Sequence, residues 1–268
     1  MSGPVTYRLD DSVAFITMDD GKVNVLGPSM QQALNDALDN ADRHDVGAIV
    51  IAGNNRVFSG GFDLKVLTSG EVQPAIDMLK GGFELSHRLL SYPKPVVMAC
   101  TGHAIAMGAF LLASGDHRVA APAYNIQANE VAIGMTIPYA ALEVMKLRLT
   151  RSAYQQAAGL AKTFFGETAI AAGWLDEIVM PDMVLSRAEE AARDSPPSSS
   201  ARTPGRSCGP GPTRSPASAP GSMVWQPSSM SSAGQSSPGP RLLPSLQCDT
   251  PASSGHFERR DLPHTGRR

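Results

Sequence analysis

The chain has 268 residues, of which 42% are hydrophobic, so it can bury a sizeable core. Residues 1–194 carry 15 Lys and Arg against 22 Asp and Glu, whereas residues 195–268 carry 8 against 3. The acidic first part offers no basic face, which excludes nucleic acid as a partner. The longest apolar run, Ala104 to Ala113, is about half of a bilayer span, so we expect no membrane segment.

The cysteines and the start of the chain bear on its location. Cys100, Cys208 and Cys248 form an odd set without metal-ligand spacing, which is typical of a reducing compartment. No charged segment followed by an apolar one opens the chain, so a secretory signal is not predicted. These features predict a cytoplasmic protein.

Short apolar strands alternate with helices along residues 1–194, which favours an α/β fold. The predicted strands are Val5 to Arg8, Val13 to Met18, Ala48 to Ala52, Val96 to Cys100, His117 to Ala120 and Ile178 to Met180. The predicted helices are Pro28 to Ala41, Val72 to Ser91, Ala109 to Ala113, Tyr139 to Leu149, Ser152 to Leu160, Ala169 to Ala172 and Val184 to Arg193. The first two strands flank the turn residues Asp10 and Asp11 and predict an antiparallel hairpin.

Periodicity also predicts which helix faces point inward. In Val72 to Ser91 the predicted face is Ile76, Leu79, Phe83 and Leu90, and the pair Gly81-Gly82 is expected to weaken the helix. In Tyr139 to Leu149 the face is Ala140, Val144 and Leu147. Thr168 is the predicted N-cap of the short helix Ala169 to Ala172, and Gly173 is predicted to end that helix.

The composition changes abruptly after Asp194. Residues 195–268 hold 17 serines and 13 of the chain's 21 prolines, without one Lys, Ile, Asn or Tyr. Such a segment cannot bury enough apolar surface to offset its ordering entropy, so we expect a domain at 1–194 and a disordered Ser/Pro/Gly/Arg-rich tail at 195–268. The tail is either native or the product of a shifted reading frame; the break inside a helical pattern and the missing residue types favour the second.

Two glycine-rich junctions suggest chemistry. In the first, Phe58 runs into Ser59, Gly60 and Gly61, and Asp63 opens a short helix that ends near Thr68. Glycine lets the backbone approach a ligand closely, and the N–H groups of a helix start point outward without partners. This junction can therefore present the backbone N–H of Phe62 to an anionic oxygen.

The second junction has the same design. The run Val96 to Cys100 leads through Gly102 and His103 to Met107 and Gly108, where an apolar helix follows. Two strand–glycine–helix junctions can supply two N–H groups to one oxygen, which is the arrangement of an oxyanion hole.

Phe58 to Leu64, Pro93 to Asp116 and Asn129 through Gly134 together resemble the crotonase family, the enoyl-CoA hydratase/isomerase superfamily. The resemblance extends from about Val5 to Arg193. It implies a spiral of ββα turns and an acyl-CoA thioester substrate, which carries coenzyme A itself, so no separate cofactor is expected. It also implies that the backbone N–H groups of Phe62 and Met107 hold the thioester carbonyl.

Relatives in that family form homotrimers or hexamers through carboxyl-terminal helices that also help to close the acyl-CoA site. Here the tail takes the place of those helices, so assembly of this chain is doubtful. The resemblance further implies a role in fatty acid metabolism.

The same resemblance assigns the catalytic carboxylate to Glu130, which faces C2 of the acyl chain. Val131, Ala132 and Ile133 would desolvate Glu130 and raise its pKa toward that of a useful base. Hydratases of the family carry a second glutamate at the position of Phe110, which is here an acyl-pocket residue. Glu84 and Glu143 are the nearest other acids in sequence, but their spacing does not place them in the site.

For the coenzyme A part of the substrate, Lys22 and Lys65 are candidates for the phosphates, and Gly60 and Gly61 for the adenine. Asp63 is expected to cap its helix, and His103 to be structural. No metal-binding or dinucleotide motif occurs in the sequence, so metal is not predicted.

Three functions remain open. One is isomerisation of a Δ3-enoyl-CoA to the Δ2 isomer with Glu130 as the single base, as in the isomerase branch whose Asn-Glu pair looks like Asn129-Glu130. The second is an enoyl-CoA hydratase of fatty acid β-oxidation, in which another group replaces the missing carboxylate. The third is a non-catalytic acyl-CoA-binding paralogue. Phe110 argues against the hydratase.

Overall fold

The computed structural model describes residues 3–195, and the predicted tail lies outside the described residues apart from Ser195. The strands are β1 Val5–Asp10, β2 Val13–Met18, β3 Ala48–Ala52, β4 Val57–Ser59, β5 Val96–Cys100, β6 His103–Ile105, β7 His117–Ala120, β8 Ile126–Gln127 and β9 Glu177–Ile178. The helices are α1 Pro28–Arg43, α2 Leu64–Leu67, α3 Val72–Leu90, α4 Met107–Ala113, α5 Tyr139–Arg148, α6 Arg151–Leu160, α7 Gly166–Ala172 and α8 Val184–Asp194. Two 3₁₀ turns span Val131–Ile133 and Pro181–Met183.

The strands form two sheets. The larger has six strands in the order β1-β2-β3-β5-β7-β9, and the smaller has three in the order β4-β6-β8. Among the nine named strands of residues 3–195, β1 and β2 pair antiparallel, in the predicted hairpin, and the remaining strand pairs are parallel. Each of β3, β5 and β7 is followed by one strand of the small sheet, so the chain repeats a strand–strand unit. This repeat confirms the expected α/β spiral.

Both faces of the large sheet are covered, which explains why β3 and β5 are apolar at every position. Ile49 and Ile51 point into the main core, which α1, α3, α4 and α5 help to fill. Val50 points to the other face, where α8 packs with Val184, Ala188 and Ala192. The alternation along β3 therefore divides the core in two.

The predicted inward face of α3 was right in part. Phe83 and Leu90 are partly buried against the core, but Ile76 is 49% exposed. The fully buried residues are Met78, Gly82, Leu85, Ser86 and Leu89, and Leu79 and Phe83 also line a cavity. The helix also runs unbroken through Gly81 and Gly82, because other side chains pack where their Cβ atoms would be.

Two further local predictions were wrong in part. The buried face of α5 is Ala141, Val144 and Met145, so Val144 was predicted correctly, but Leu147 is 67% exposed. Thr168 is not an N-cap but the third residue of α7, where its Oγ1 accepts a hydrogen bond from the N–H of Phe165 at 3.1 Å. Gly173 does end α7, with φ of 93°.

No helix within residues 3–195 is long and apolar enough to cross a bilayer.

We expect truncation after Asp194 to leave the thermal unfolding transition unchanged. The reason is that α8 already buries Val184, Ala188 and Ala192 against the sheet, and the composition of residues 195–268 predicts no core residues. Differential scanning calorimetry of the full and truncated chains checks this. Loss of the cooperative transition on truncation would show that the tail contributes to a packed core.

Candidate active site

A cavity of about 720 Å³, counting the part that opens to solvent, lies between the two glycine junctions and the loop that carries Glu130. Its wall is mostly apolar, with Asn129, Glu130 and Thr136 among the polar residues. The lining residues are Gly60, Phe62, Leu64, Leu67, Leu79, Phe83, Ala106, Phe110, Asn129, Glu130, Ile133, Met135, Thr136 and Pro138. A large apolar pocket with a few polar groups is the usual form of a small-molecule site.

The two junctions meet at Gly61. A Cβ built on Gly61 would lie 2.9 Å from Cβ of Ala106 and 3.3 Å from the backbone N of Met107, so the two segments touch. Gly61 has φ of 93°, and Ala106, the N-cap of α4, has φ of 52°. Strained backbone of this kind clusters at functional sites.

The two predicted donors, the backbone N–H groups of Phe62 and Met107, differ in how they lie relative to the cavity. Phe62 lines the cavity, and its backbone N–H has no acceptor among residues 3–195. Met107 is itself fully buried, but it is the first residue of α4, where N–H groups have no partner inside the helix, and Ala106 beside it lines the cavity.

A buried polar network holds the first junction. Asn24 and Ser59 are both 0% exposed. The Asn24 amide donates to the carbonyls of Met18, Val57 and Phe58 at 3.1–3.2 Å. The Ser59 hydroxyl donates to the Asn24 carbonyl at 2.8 Å and accepts from the Gly61 N–H at 3.2 Å. Satisfied networks of this kind make the surrounding backbone rigid.

Glu130 enters the cavity from the loop after β8. Its carbonyl accepts hydrogen bonds from the N–H groups of Ile133 and Met135, which fix the loop. The residue is 7% exposed, and its Oε2 is buried without a hydrogen-bond partner. Burial raises the pKa of this carboxyl above its ordinary value. A buried carboxylate with one unpaired oxygen in a mostly apolar cavity is suited to accept a proton.

The raised pKa of Glu130 predicts a pH-dependent stability. The folded state prefers the protonated carboxyl, so this stabilisation is complete below the ordinary glutamate pKa and is lost as pH rises through the raised pKa. Glu130→Gln should therefore increase the free energy of unfolding at pH 7 by about 0.5–2 kcal/mol, with no gain below pH 4. Urea unfolding from pH 4 to 8 measures this; a gain equal at all pH values would contradict it.

Three aromatic rings form one wall of the cavity. The Phe62 and Phe83 rings meet edge to face at 6.0 Å between centroids, and those of Phe83 and Phe110 stack at 6.4 Å. Phe110 is 1% exposed and lines the cavity where the resemblance places an acyl-pocket residue.

The other acids lie outside the cavity. Glu84 is exposed on α3 with its carboxylate 3.7 Å from the Lys80 ammonium, and Glu143 accepts from Lys146 at 2.6 Å. Within residues 3–195, Glu130 is the one acidic residue that lines the cavity.

The remaining candidates are at the surface. Lys22 and Lys65 are exposed and do not line the cavity, while Gly60 does. Asp63 caps α2 as predicted, because its Oδ1 accepts from the Lys65 N–H at 2.9 Å. His103 is also structural: its Nδ1 accepts from the Asn125 N–H at 3.0 Å, and its ring packs on Tyr124.

Sequence reasoning missed the cavity roles of Asn129, Leu79 and Phe83. Asn129 lines the cavity, and its Oδ1 is buried without a hydrogen-bond partner, as is Oε2 of Glu130. Its position next to Glu130 was the available signal. The helical periodicity of Leu79 and Phe83 was visible, but it could not tell a cavity wall from a core.

The chain belongs to the enoyl-CoA hydratase/isomerase family, whose sequence model matches residues 8–202. This confirms the crotonase resemblance and its fold.

Solved structures and sequences agree with this assignment. The aligned part is 81% identical to the enoyl-CoA isomerase of Mycobacterium tuberculosis, with a TM-score of 0.70 over 72% of this chain and 84% of that chain. Another structure of that M. tuberculosis protein names it a probable enoyl-CoA hydratase, with 83% identity and a TM-score of 0.71 over 71% of this chain and 80% of that one.

A more distant relative is the peroxisomal fatty acid beta-oxidation multifunctional protein AIM1 of Arabidopsis thaliana. It is 30% identical over 188 residues, which are 69% of this chain and only 26% of that protein. The names of the relatives thus include both hydratase and isomerase.

Proposed function

We propose that the protein converts 3-enoyl-CoA thioesters to their 2-enoyl isomers with Glu130 as the base. The observation that carries the proposal is the one carboxylate that lines the cavity among residues 3–195, buried and with its Oε2 unpaired, in an apolar lining that includes Phe110. Moving a proton within one bound substrate needs one base, whereas adding water needs a positioned water as well. The two structures of the M. tuberculosis relative carry one name each, isomerase and hydratase, so the choice rests on the cavity.

In the proposed reaction, the Glu130 carboxylate removes a proton from C2 of the substrate. The electron pair of that C–H bond moves into the conjugated system, and the thioester oxygen takes up negative charge as a dienolate. The carboxyl of Glu130 then returns the proton to C4, so the double bond ends between C2 and C3. No atom is gained or lost.

We assign stabilisation of the negative charge on the dienolate oxygen to the backbone N–H groups of Phe62 and Met107. Donors fixed before the reaction cost no reorganisation, and one such donor is worth about 3 kcal/mol in other oxyanion holes. The network of Asn24 and Ser59 supports this role because it fixes the junction just before Phe62.

The coenzyme A part of the substrate would extend out of the cavity past the backbone of Gly60 and Gly61, with Lys22 and Lys65 near its phosphates. Lys22 and Lys65 are exposed, so the ammonium group of each side chain can move to a phosphate. The lone buried Cys100 among residues 3–195 is consistent with a cytoplasmic location.

The second candidate is hydration of a 2-enoyl-CoA, in line with the hydratase name of one M. tuberculosis structure. Asn129 and Glu130 both line the cavity, and Oδ1 of Asn129 and Oε2 of Glu130 are buried acceptors without partners. A water molecule, which has two protons to donate, could bind them once these side chains move. In this reading Asn129 takes the place of the missing carboxylate. The β-oxidation relative from Arabidopsis is in line with such a role.

The test presents trans-3-enoyl-CoA and trans-2-enoyl-CoA separately to the full chain. We expect isomerisation of the first to exceed hydration of the second. Hydration as the faster reaction, lost in Asn129→Leu, would establish the second candidate. Tight acyl-CoA binding with turnover of neither substrate would establish the non-catalytic reading instead.

A further inference from the structure

The glycine pair of α3 lies against the active-site loop. A Cβ on Gly82 would be 2.5 Å from Cε1 and 2.8 Å from Cζ of the Phe62 ring, and a Cβ on Gly81 would be 2.4 Å from Oε1 of Gln31. Contacts this short are not tolerated by real Cβ atoms, so neither position accepts alanine without movement. Each glycine costs the helix about 1 kcal/mol relative to alanine. The glycines nevertheless fit here, because the Gln31 and Phe62 side chains occupy the space that a Cβ would need.

Gln31 connects the same stretch of α3 to the residue before Phe62. Its Nε2 donates to the carbonyls of Leu26 and Met78, each at 2.9 Å. The Leu26 N–H in turn donates to the Gly61 carbonyl at 2.7 Å. Helix α3 therefore contacts the Phe62 ring directly and holds the Gly61 backbone through one side chain.

The Phe62 ring packs on α3 at both Gly82 and Phe83, and Phe62 also lines the cavity. It meets the Phe83 ring at 6.0 Å between centroids, and Phe83 is itself stacked on the buried ring of Phe110. Ordinary van der Waals contact begins near 3.4 Å, so a Cβ at position 82 requires the ring to move by about 1 Å. The ring and the backbone N–H belong to one residue, so a displacement of the ring can be passed on to the N–H.

We propose that Gly82 is a positioning residue for the reaction: by lacking a Cβ, it lets the Phe62 ring rest on the α3 backbone and so directs the Phe62 N–H into the cavity. The inference rests on the proposed function, because it concerns the donor assigned to the thioester oxygen. A misplacement of about 1 Å can cost about 10²-fold in rate.

The test is a double-mutant cycle of Gly82→Ala and Phe62→Ala, assayed with 3-enoyl-CoA. Phe62→Ala keeps the backbone N–H and removes the ring that the new methyl group meets. We expect Gly82→Ala alone to lower kcat by about 10–10²-fold with little change in KM. In the Phe62→Ala background the same change should alter kcat less than about 2-fold.

Gly159→Ala is the matched control, because Gly159 lies inside α6 with nothing within 4 Å of its added Cβ. It should leave kcat unchanged. If Gly82→Ala does not fold, Phe62→Tyr tests the same contact by enlarging the ring instead of residue 82. The tyrosine hydroxyl extends from Cζ, one of the two ring atoms closest to Gly82. An equal loss of kcat in both backgrounds, or no loss in Gly82→Ala, would overturn the proposal.

Crystal structures of the parent and Gly82→Ala separate this inference from the proposed function. If the parent turns over no 3-enoyl-CoA, the proposed function fails. The inference about Gly82 is then still tested by comparing the positions of the Phe62 ring and backbone N in the two crystal structures. Displacement of both supports it. A Phe62 that superimposes on the parent, with α3 moved instead, refutes it.

Discussion

Glu130→Gln should lower the conversion of 3-enoyl-CoA to 2-enoyl-CoA by about 10²–10⁴-fold, the usual effect of losing a general base. Glutamine has nearly the same shape, so the cavity keeps its volume, but an amide cannot accept the C2 proton. Binding of the thioester should change little, because it rests on backbone donors and the apolar wall. Steady-state kinetics and calorimetric titration with a saturated acyl-CoA measure the two quantities.

Two matched controls belong to this experiment. Glu84→Gln and Glu143→Gln remove exposed carboxylates that pair with Lys80 and Lys146 outside the cavity. Both should turn over at the parent rate. A Glu130→Gln variant that also isomerises at the parent rate would show that another group is the base.

Gly108→Ala should reduce turnover by about 10²-fold and lower the free energy of unfolding by about 1–3 kcal/mol. A Cβ at Gly108, in the first turn of α4, would lie 2.3 Å from the carbonyl oxygen of Ser59 and 2.8 Å from its Cβ. Ser59 is part of the buried network with Asn24, so it cannot move aside alone. The added methyl group must therefore push the two junctions apart.

The activity of Gly108→Ala is measured with 3-enoyl-CoA and its stability by urea unfolding. Gly159→Ala is again the control, and should gain about 0.4–1 kcal/mol because alanine restricts the unfolded chain. Parent-like turnover in Gly108→Ala would mean that the spacing of the two junctions does not limit the reaction.

The sequence predicted the large sheet well, because its signals are local. The runs Ala48–Ala52 and Val96–Cys100 are apolar at every position, and both were predicted with their observed bounds. β1 and β2 carry a turn signal between them, and α1 starts at Pro28 as predicted.

The small sheet was not predictable in the same way. Its strands have two or three residues, too few for a period of two to appear. His103–Ile105 was interpreted as part of a glycine junction because Gly102 and Gly108 flank it. Only pairing with β4 and β8, which are distant in sequence, makes it a strand.

The candidate site was partly predictable. Two glycine junctions and Glu130 were visible as motifs, and the structure places Phe62, Ala106 and Glu130 around one cavity. The contact of Gly82 with the Phe62 ring was not visible, since it joins residues on separate elements through a missing atom. An internal glycine pair predicts a weak helix unless the neighbouring elements are known.

The elements that carry the base and the assigned donors are separate in the chain. Glu130 lies in the loop after β8, whereas Phe62 and Met107 follow β4 and β6. Under the proposed function, charge stabilisation and proton transfer then belong to separate segments of the chain, so residue 130 is the position to vary when new chemistry on acyl thioesters is sought. Such a division suits laboratory evolution, because the backbone assigned to hold an enolate lies outside the loop that would be changed.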